Sequence, residues 1–149
     1  MNALRRIDID TAARTVWAEA RGEGPLGMRA VAWVMKNRLA RPCWWSRERG
    51  DGTPDDTLEA VARDPWQFSC WNTDDPNLPK LLAADFDDID FRRAWHAVLQ
   101  AIDEPAQLDP THGATHYHVY ENGWPAGWGP RSKWKELSTI YHHRFYKEL

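Results

Sequence analysis

Glu19 and Glu23 stand four residues apart across a joint that contains Gly22 and Gly24. A carboxyl group can act as a general acid when its surroundings keep it protonated near neutral pH. Glu19 has three reasons to hold its proton. It falls in the last turn of an apolar helical pattern, where the carbonyl end of the helix is itself partly negative. It also lies close in sequence to Trp17 and to a second carboxylate, and apolar surroundings and like charge both disfavour ionisation. Read from the residues alone, ion pairs with Arg21, Arg14 or Lys36 on a solvated face compete with that role.

Histidine supplies the other chemistry-bearing set: His112, His116, His118, His142 and His143. On a strand, His116 and His118 share one face and form a legitimate metal-ligand pair, with His142, His143 or Glu121 as further donors. A zinc-dependent hydrolase built on His116 and His118 is therefore a second reading. No His-Glu-x-x-His run accompanies the pair, and an isolated His-x-His is common in ordinary surface sheet. A serine nucleophile has no Gly-x-Ser-x-Gly elbow to hold it.

Two helices must position the glutamates. After Asp10 or Thr11 as N-cap, Ala12, Ala13, Val16, Trp17 and Ala20 recur at helical spacing. A second helix is expected from about Pro25 to Leu39, with Met28, Val31, Ala32, Met35 and Leu39 on one stripe. Proline suits a first turn because its missing N–H would be unpaired there anyway. Residues 41–56 break both periodicities and read as a loop. A short helix is expected from Thr57 to Arg63, ended by Pro65, and an extended segment from Trp66 to Asn72. Further helices are expected at Leu78 to Ala84 and, capped by Asp87 or Asp88, through about Asp103. In the latter Phe91, Trp95, Val98, Leu99 and Ile102 form the inward stripe. Residues 115–120 and 140–146 are rich in aromatic and β-branched types and read as strands that pair antiparallel. Lys133 to Leu137 reads as one helical turn between them.

The stretch AEARGEGPLGMRAVAWVMKNR resembles the signature of the SleB-type cell wall hydrolases, which include the spore cortex-lytic enzymes. That signature runs Glu-Ala-x-Gly-Glu, a small-residue joint, then a helix with Ala-Val-Ala that ends in Asn-Arg. Glu19, Ala20, Gly22, Glu23, Ala30-Val31-Ala32, Asn37 and Arg38 all stand in place. Trp66-Gln67-Phe68-Ser69 is similar to the family's Gln-Phe-Ser segment. Ala114 to Tyr117, Trp128 and His143 to Tyr146 resemble its closing strands. The resemblance implies an α+β, mainly α fold, lysozyme-like, with a small antiparallel sheet of two or three strands. It implies cleavage of the peptidoglycan glycan strand between N-acetylmuramic acid and N-acetylglucosamine, as a lytic transglycosylase or a muramidase, with Glu19 as catalytic acid and Glu23 in support. It places Gln67, Phe68, Ser69, Trp71, Tyr117 and Trp128 along the glycan groove, and calls for no metal or other cofactor. A glycan-binding module without turnover remains as a further alternative; it accounts for the tryptophans but not for a carboxyl at a helix end.

The bounds agree with a single domain over residues 1–149, acting as a monomer. A net charge of −3 gives no general pull toward nucleic acid. No apolar run is long enough for stable membrane insertion. The N-terminus MNALRRIDID has arginines but no apolar stretch after them, so no secretory signal is visible. A compact lytic domain of this kind fits a phage-encoded lysis enzyme, made in the bacterial cytoplasm and acting on the wall. Cys43 and Cys70 read as two reduced thiols. Of the ten tryptophans, Trp17, Trp33 and Trp95 read as core, whereas Trp44, Trp45, Trp66, Trp71, Trp124 and Trp128 lie in loop-like segments.

Overall fold

The computed structural model describes residues 3–41, 55–64 and 67–149. Trp44, Trp45, Trp66, Cys43, Pro65 and most of the loop expected at 41–56 lie outside the described residues. The helices are α1 (Arg6–Ala20), α2 (Gly24–Ala40), α3 (Leu58–Arg63), α4 (Leu78–Ala83) and α5 (Ile89–Asp103). The strands are β1 (His116–Val119), β2 (Trp134–Ile140) and β3 (His143–Glu148).

α1 starts well before the expected Asp10 or Thr11. Arg5 is its N-cap, and Asp8 closes a capping box by accepting from the Arg5 backbone N–H at 2.9 Å. The Asp8 carboxylate also accepts from the Glu59 N–H at 3.1 Å, so one buried side chain starts α1 and tethers α3. α3 is capped by Thr57, whose hydroxyl accepts from the Ala60 N–H. Asp88 caps α5 and takes a further hydrogen bond from the Trp17 indole at 3.1 Å. Other helix ends are closed by cations that satisfy orphan carbonyls. Arg14 donates to Leu81 O and Ala84 O at the end of α4, and Lys36 to Ala101 O and Glu104 O at the end of α5.

The main core lies among α1, α2, α3 and α5, and takes in Phe68, Cys70 and Leu81 from the intervening segments. On α5 the inward residues include Phe91, Ala94, Ala97, Val98 and Ala101; Leu99, expected on the stripe, is exposed. Phe91 and Val98 of the expected stripe are buried, Trp95 and Ile102 pack partly buried against the core, and the alanines between them complete the buried face. A second core cluster (Ala30, Val34, Ala114, Ile140 and Phe145) joins α2 to the sheet.

The sheet has three strands in the order β1-β3-β2, all antiparallel. Tyr117 faces Phe145 across β1 and β3, and a bulge between Glu136 and Ser138 interrupts the β2–β3 register. Two sequence expectations are corrected here. Lys133 to Leu137 does not form a helical turn: a 3₁₀ turn at Arg131–Lys133 leads into β2, because pairing with β3 overrides local helix propensity. Residues 67–72 are not extended but contain a 3₁₀ turn, Ser69–Trp71, with the Asn72 N–H bonded to Ser69 O.

The motif residues Asn37 and Arg38 fasten α2 to the sheet. The Asn37 amide donates to Asp109 Oδ2 and to Ala114 O, both at 2.9 Å. The Arg38 Nε donates to Thr115 O at 2.6 Å, just ahead of β1. Asp109 in turn accepts from the Thr111 and Gly113 N–H groups and so folds the turn that delivers β1.

Candidate active site

α1 runs out at Ala20 and α2 begins at Gly24, whose φ of +73° lets the chain reverse between them. Glu19 lies in the last turn of α1, partly buried. β1 crosses that helix end and brings Tyr117 onto it: the Tyr117 hydroxyl donates to Glu19 Oε2 at 3.0 Å. Cys70, from the 3₁₀ turn, and Arg38 are both close enough to act on the carboxyl. Burial pushes the Glu19 carboxyl above the ordinary carboxylate range, and the charge of Asp75 adds to the effect. Tyr117, Cys70 and Arg38 oppose it by favouring the ionised form. Arg38 is itself buried beneath the Phe68 ring, 5.0 Å from its centroid, and desolvation lowers its pKa to about 10.

This environment differs in part from the one read in the sequence. The like charge acting on Glu19 comes from Asp75, not from Glu23. Glu23 turns toward the sheet, where its Oε2 accepts from the His142 N–H at 3.4 Å. Trp17 is occupied elsewhere, with its indole on Asp88 and the Arg21 guanidinium 4.2 Å from its ring centroid.

Of the residues expected along a groove, Phe68 and Trp71 border an open cleft of about 530 Å³, shared with Arg63, Asp64, Asn72, Thr73 and Asp74. The Trp71 indole donates to Thr15 Oγ1 at 2.9 Å, and Arg63 lies over its ring. Gln67 is half-buried and Ser69 exposed beside these two. Tyr117 sits on the Glu19 carboxyl, and neither Tyr117 nor Glu19 lines that cleft. Trp128 does not belong with this set. Strand alternation puts His116, His118 and Tyr146 on the sheet face away from Tyr117 and Phe145. Trp128 sits on that far face, stacked on Trp134 at 4.8 Å and edge-on to His116 and His118.

The same face accounts for the histidines. His116 is buried against Trp128 and Trp134, and burial drives its pKa down to about 2. His118 Nε2 lies 3.3 Å from the Tyr146 hydroxyl. His143 is buried on the opposite face beside Tyr117, and the exposed His142 pairs with Glu121 at 2.9 Å. The donors of the zinc reading are thus divided between two faces. Among the described residues, no three His, Cys, Asp or Glu side chains are grouped to share a metal ion.

Sequence reasoning missed Cys70, Asp75 and the reach of Arg38 to the carboxyl. Cys70 reads only as a reduced thiol, and nothing in the spacing ties Asp75 to the carboxyl. Only the Asn37-Arg38 pair carried a signal, through the family signature.

A model of the cell wall hydrolase family matches residues 22–146. The match includes Glu23 and begins three residues after Glu19. Among curated proteins, none matches the chain. Two solved structures resemble it over 99% of its length. One is the catalytic domain of the germination-specific lytic transglycosylase SleB from Bacillus anthracis, at 25% identity, TM-score 0.70 and 99% coverage of that chain. The other is the catalytic domain of the Bacillus cereus SleB protein, at 26% identity, TM-score 0.69 and 94% coverage. Sequence match and fold agree, and the chain belongs to the cell wall hydrolase family.

Proposed function

We propose that the protein cleaves the β-1,4 bond between N-acetylmuramic acid and N-acetylglucosamine in peptidoglycan, as a lytic transglycosylase with Glu19 as its single catalytic acid. The observation that carries this reading is the Glu19 carboxyl itself. Burial raises its pKa, as a general acid requires, and the Tyr117 hydroxyl holds it by a 3.0 Å hydrogen bond. The cleft beside the half-buried Trp71, on the turn that carries Cys70, supports glycan binding near this end of α1.

In the first step protonated Glu19 gives its proton to the glycosidic oxygen as the bond to the muramic acid anomeric carbon breaks. The substrate's own acetamide can stabilise the cation that develops. Glu19, now ionised, is held by the hydrogen bond from the Tyr117 hydroxyl and favoured by the nearby Cys70 and by the Arg38 charge. It then takes a proton from the 6-hydroxyl of the same muramic acid, whose oxygen closes the 1,6-anhydro ring. Burial thus supports the acid half of the cycle and the Tyr117 hydrogen bond the base half. A two-carboxylate glycosidase would need a partner at a defined separation. Glu23 is directed to the His142 backbone, which supports a structural role for it. The likeness to the catalytic domain of a lytic transglycosylase favours ring closure over attack by water.

Mass analysis of the products from purified peptidoglycan tests this. Anhydromuramic ends are expected. Reducing ends would keep Glu19 as acid but make the enzyme a hydrolase, and released peptides without glycan cleavage would overturn the reading.

A further inference from the structure

β2 and β3 are joined by a two-residue loop, Tyr141-His142, between the paired Ile140 and His143. At its first position Tyr141 has a φ of +52°, in the left-handed region. Glycine is favoured there in short hairpins, because a Cβ crowds the backbone at positive φ. A bulky aromatic in that conformation is strained, and strain of this kind collects at functional sites. Packing does not account for it. Tyr141 is 61% exposed, and among the described residues no ring, cation or hydrogen-bonding group engages its side chain. Tyr120, the other exposed tyrosine, is by contrast covered by the Arg144 guanidinium, 4.5 Å from its ring centroid.

The loop is held against the α1–α2 joint. The His142 N–H donates to Glu23 Oε2 at 3.4 Å, and the His142 ring pairs with Glu121 at 2.9 Å. One edge of the Tyr141 ring passes over Gly27 in the first turn of α2, where a Cβ would stand 3.8 Å from Tyr141 Cδ2. β3 then leads back to the candidate acid: His143 packs on Tyr117 at 4.9 Å, and the Tyr117 hydroxyl holds Glu19. On the other side, Trp71 is anchored to Thr15, one turn ahead of Glu19 in α1. The carboxyl therefore falls between a half-buried tryptophan from the helical core and an exposed tyrosine from the sheet.

We propose that Tyr141 is a substrate-binding residue: its ring stacks on the apolar face of a sugar of the glycan strand, on the sheet side of Glu19. The inference rests on the reading of Glu19 as the acid that cleaves a β-1,4 glycan. In such a polymer the polar substituents of each ring are largely equatorial. The axial C–H groups are left as a flat apolar face that an aromatic ring can cover. A scissile bond has a sugar on each side, so an acid poised at it needs a hold on both. The cleft beside Trp71 serves one side and Tyr141 the other. The short, strained loop fixes where the ring points, so little freedom is lost on binding.

Three variants test this. Tyr141→Gly removes the ring and relieves the backbone. Tyr141→Asn removes the ring but keeps a side chain that tolerates the left-handed region, and Tyr141→Phe keeps the ring. Affinity for a soluble glycan strand freed of its peptides is measured in a Glu19→Gln background, so that the probe is not consumed, with a thermal melt of each protein. Tyr141→Gly and Tyr141→Asn should bind roughly three- to tenfold more weakly, with Tm at or above that of the parent, and Tyr141→Phe within about twofold of it. In the active protein the two variants without the ring should raise KM and leave kcat nearly unchanged. Parental affinity in both of them would overturn the inference. An affinity loss that appears only where Tm falls would do the same, since the ring would then be a packing element. Strand binding is read without turnover, so it stands apart from the reaction. A Tyr141-dependent affinity in a protein whose products show no glycan cleavage would refute the catalytic reading alone.

Discussion

Tyr117→Phe isolates the hydrogen bond on which the candidate site turns. The substitution keeps the ring, which packs on Phe145 and His143, and deletes only the hydroxyl that donates to Glu19 at 3.0 Å. A hydrogen bond to a charged group contributes about 1.5–3 kcal/mol. Expressed as a midpoint, that is about one to two pH units. The hydroxyl favours the ionised carboxylate, so its loss raises a pKa that burial has already raised. The acid then stays protonated to higher pH, and the alkaline limb of kcat/KM should move upward by about that amount. Stability gives an independent check. Glu19 binds its proton more tightly folded than unfolded, so its contribution favours folding at acid pH and fades as pH rises through the folded midpoint. Tyr117→Phe should therefore lower Tm more at mildly alkaline pH, with Glu19 ionised, than at acid pH, where the carboxyl is neutral in both states. An alkaline limb that stays in place, or moves toward acid, would refute the reasoning.

Two carboxylates near the site should behave differently. Asp75→Asn removes the charge that raises Glu19, so the alkaline limb should shift toward acid; Glu23→Gln should leave that limb where it is and retain most activity. A Cβ added at Gly27 would stand 2.4 Å from the Glu23 Cβ, so Gly27→Ala should cost about 1–3 kcal/mol. Gly22→Ala meets nothing within 4 Å, and thermal melts of the two variants should separate clearly. Trp128→Ala opens the aromatic stack on the far sheet face, so it should lower Tm by roughly 5 °C or more and leave glycan affinity nearly unchanged in a binding assay.

The helices were legible because their signals are local. Helical spacing locates α2 within one residue at each end, and Asp88, one of the two caps expected for α5, does cap it. α1 begins earlier than its spacing indicates because its cap is Arg5, a residue type outside the usual cap set, working through Asp8. β2 is hidden in the sequence because Trp-Lys-Glu-Leu carries no strand alternation strong enough to outweigh helix propensity. Only its pairing with β3 decides the matter, and that contact lies in the fold. At the site, Glu19 announced itself by type and place. Its partners did not, because Tyr117 is 98 residues away and meets the carboxyl only where β1 crosses the end of α1. The face on which Trp128 sits was likewise out of reach, since it depends on the register between β1 and β3.

The most direct test is turnover by Glu19→Gln on purified peptidoglycan, alongside a thermal melt and a glycan-binding measurement. Glutamine keeps the size of the side chain and can still accept from Tyr117, but it has no proton to give. Turnover should fall by roughly a hundred- to ten-thousand-fold while the fold and glycan binding persist. A folded Glu19→Gln protein that still releases glycan fragments at the wild-type rate would contradict the account.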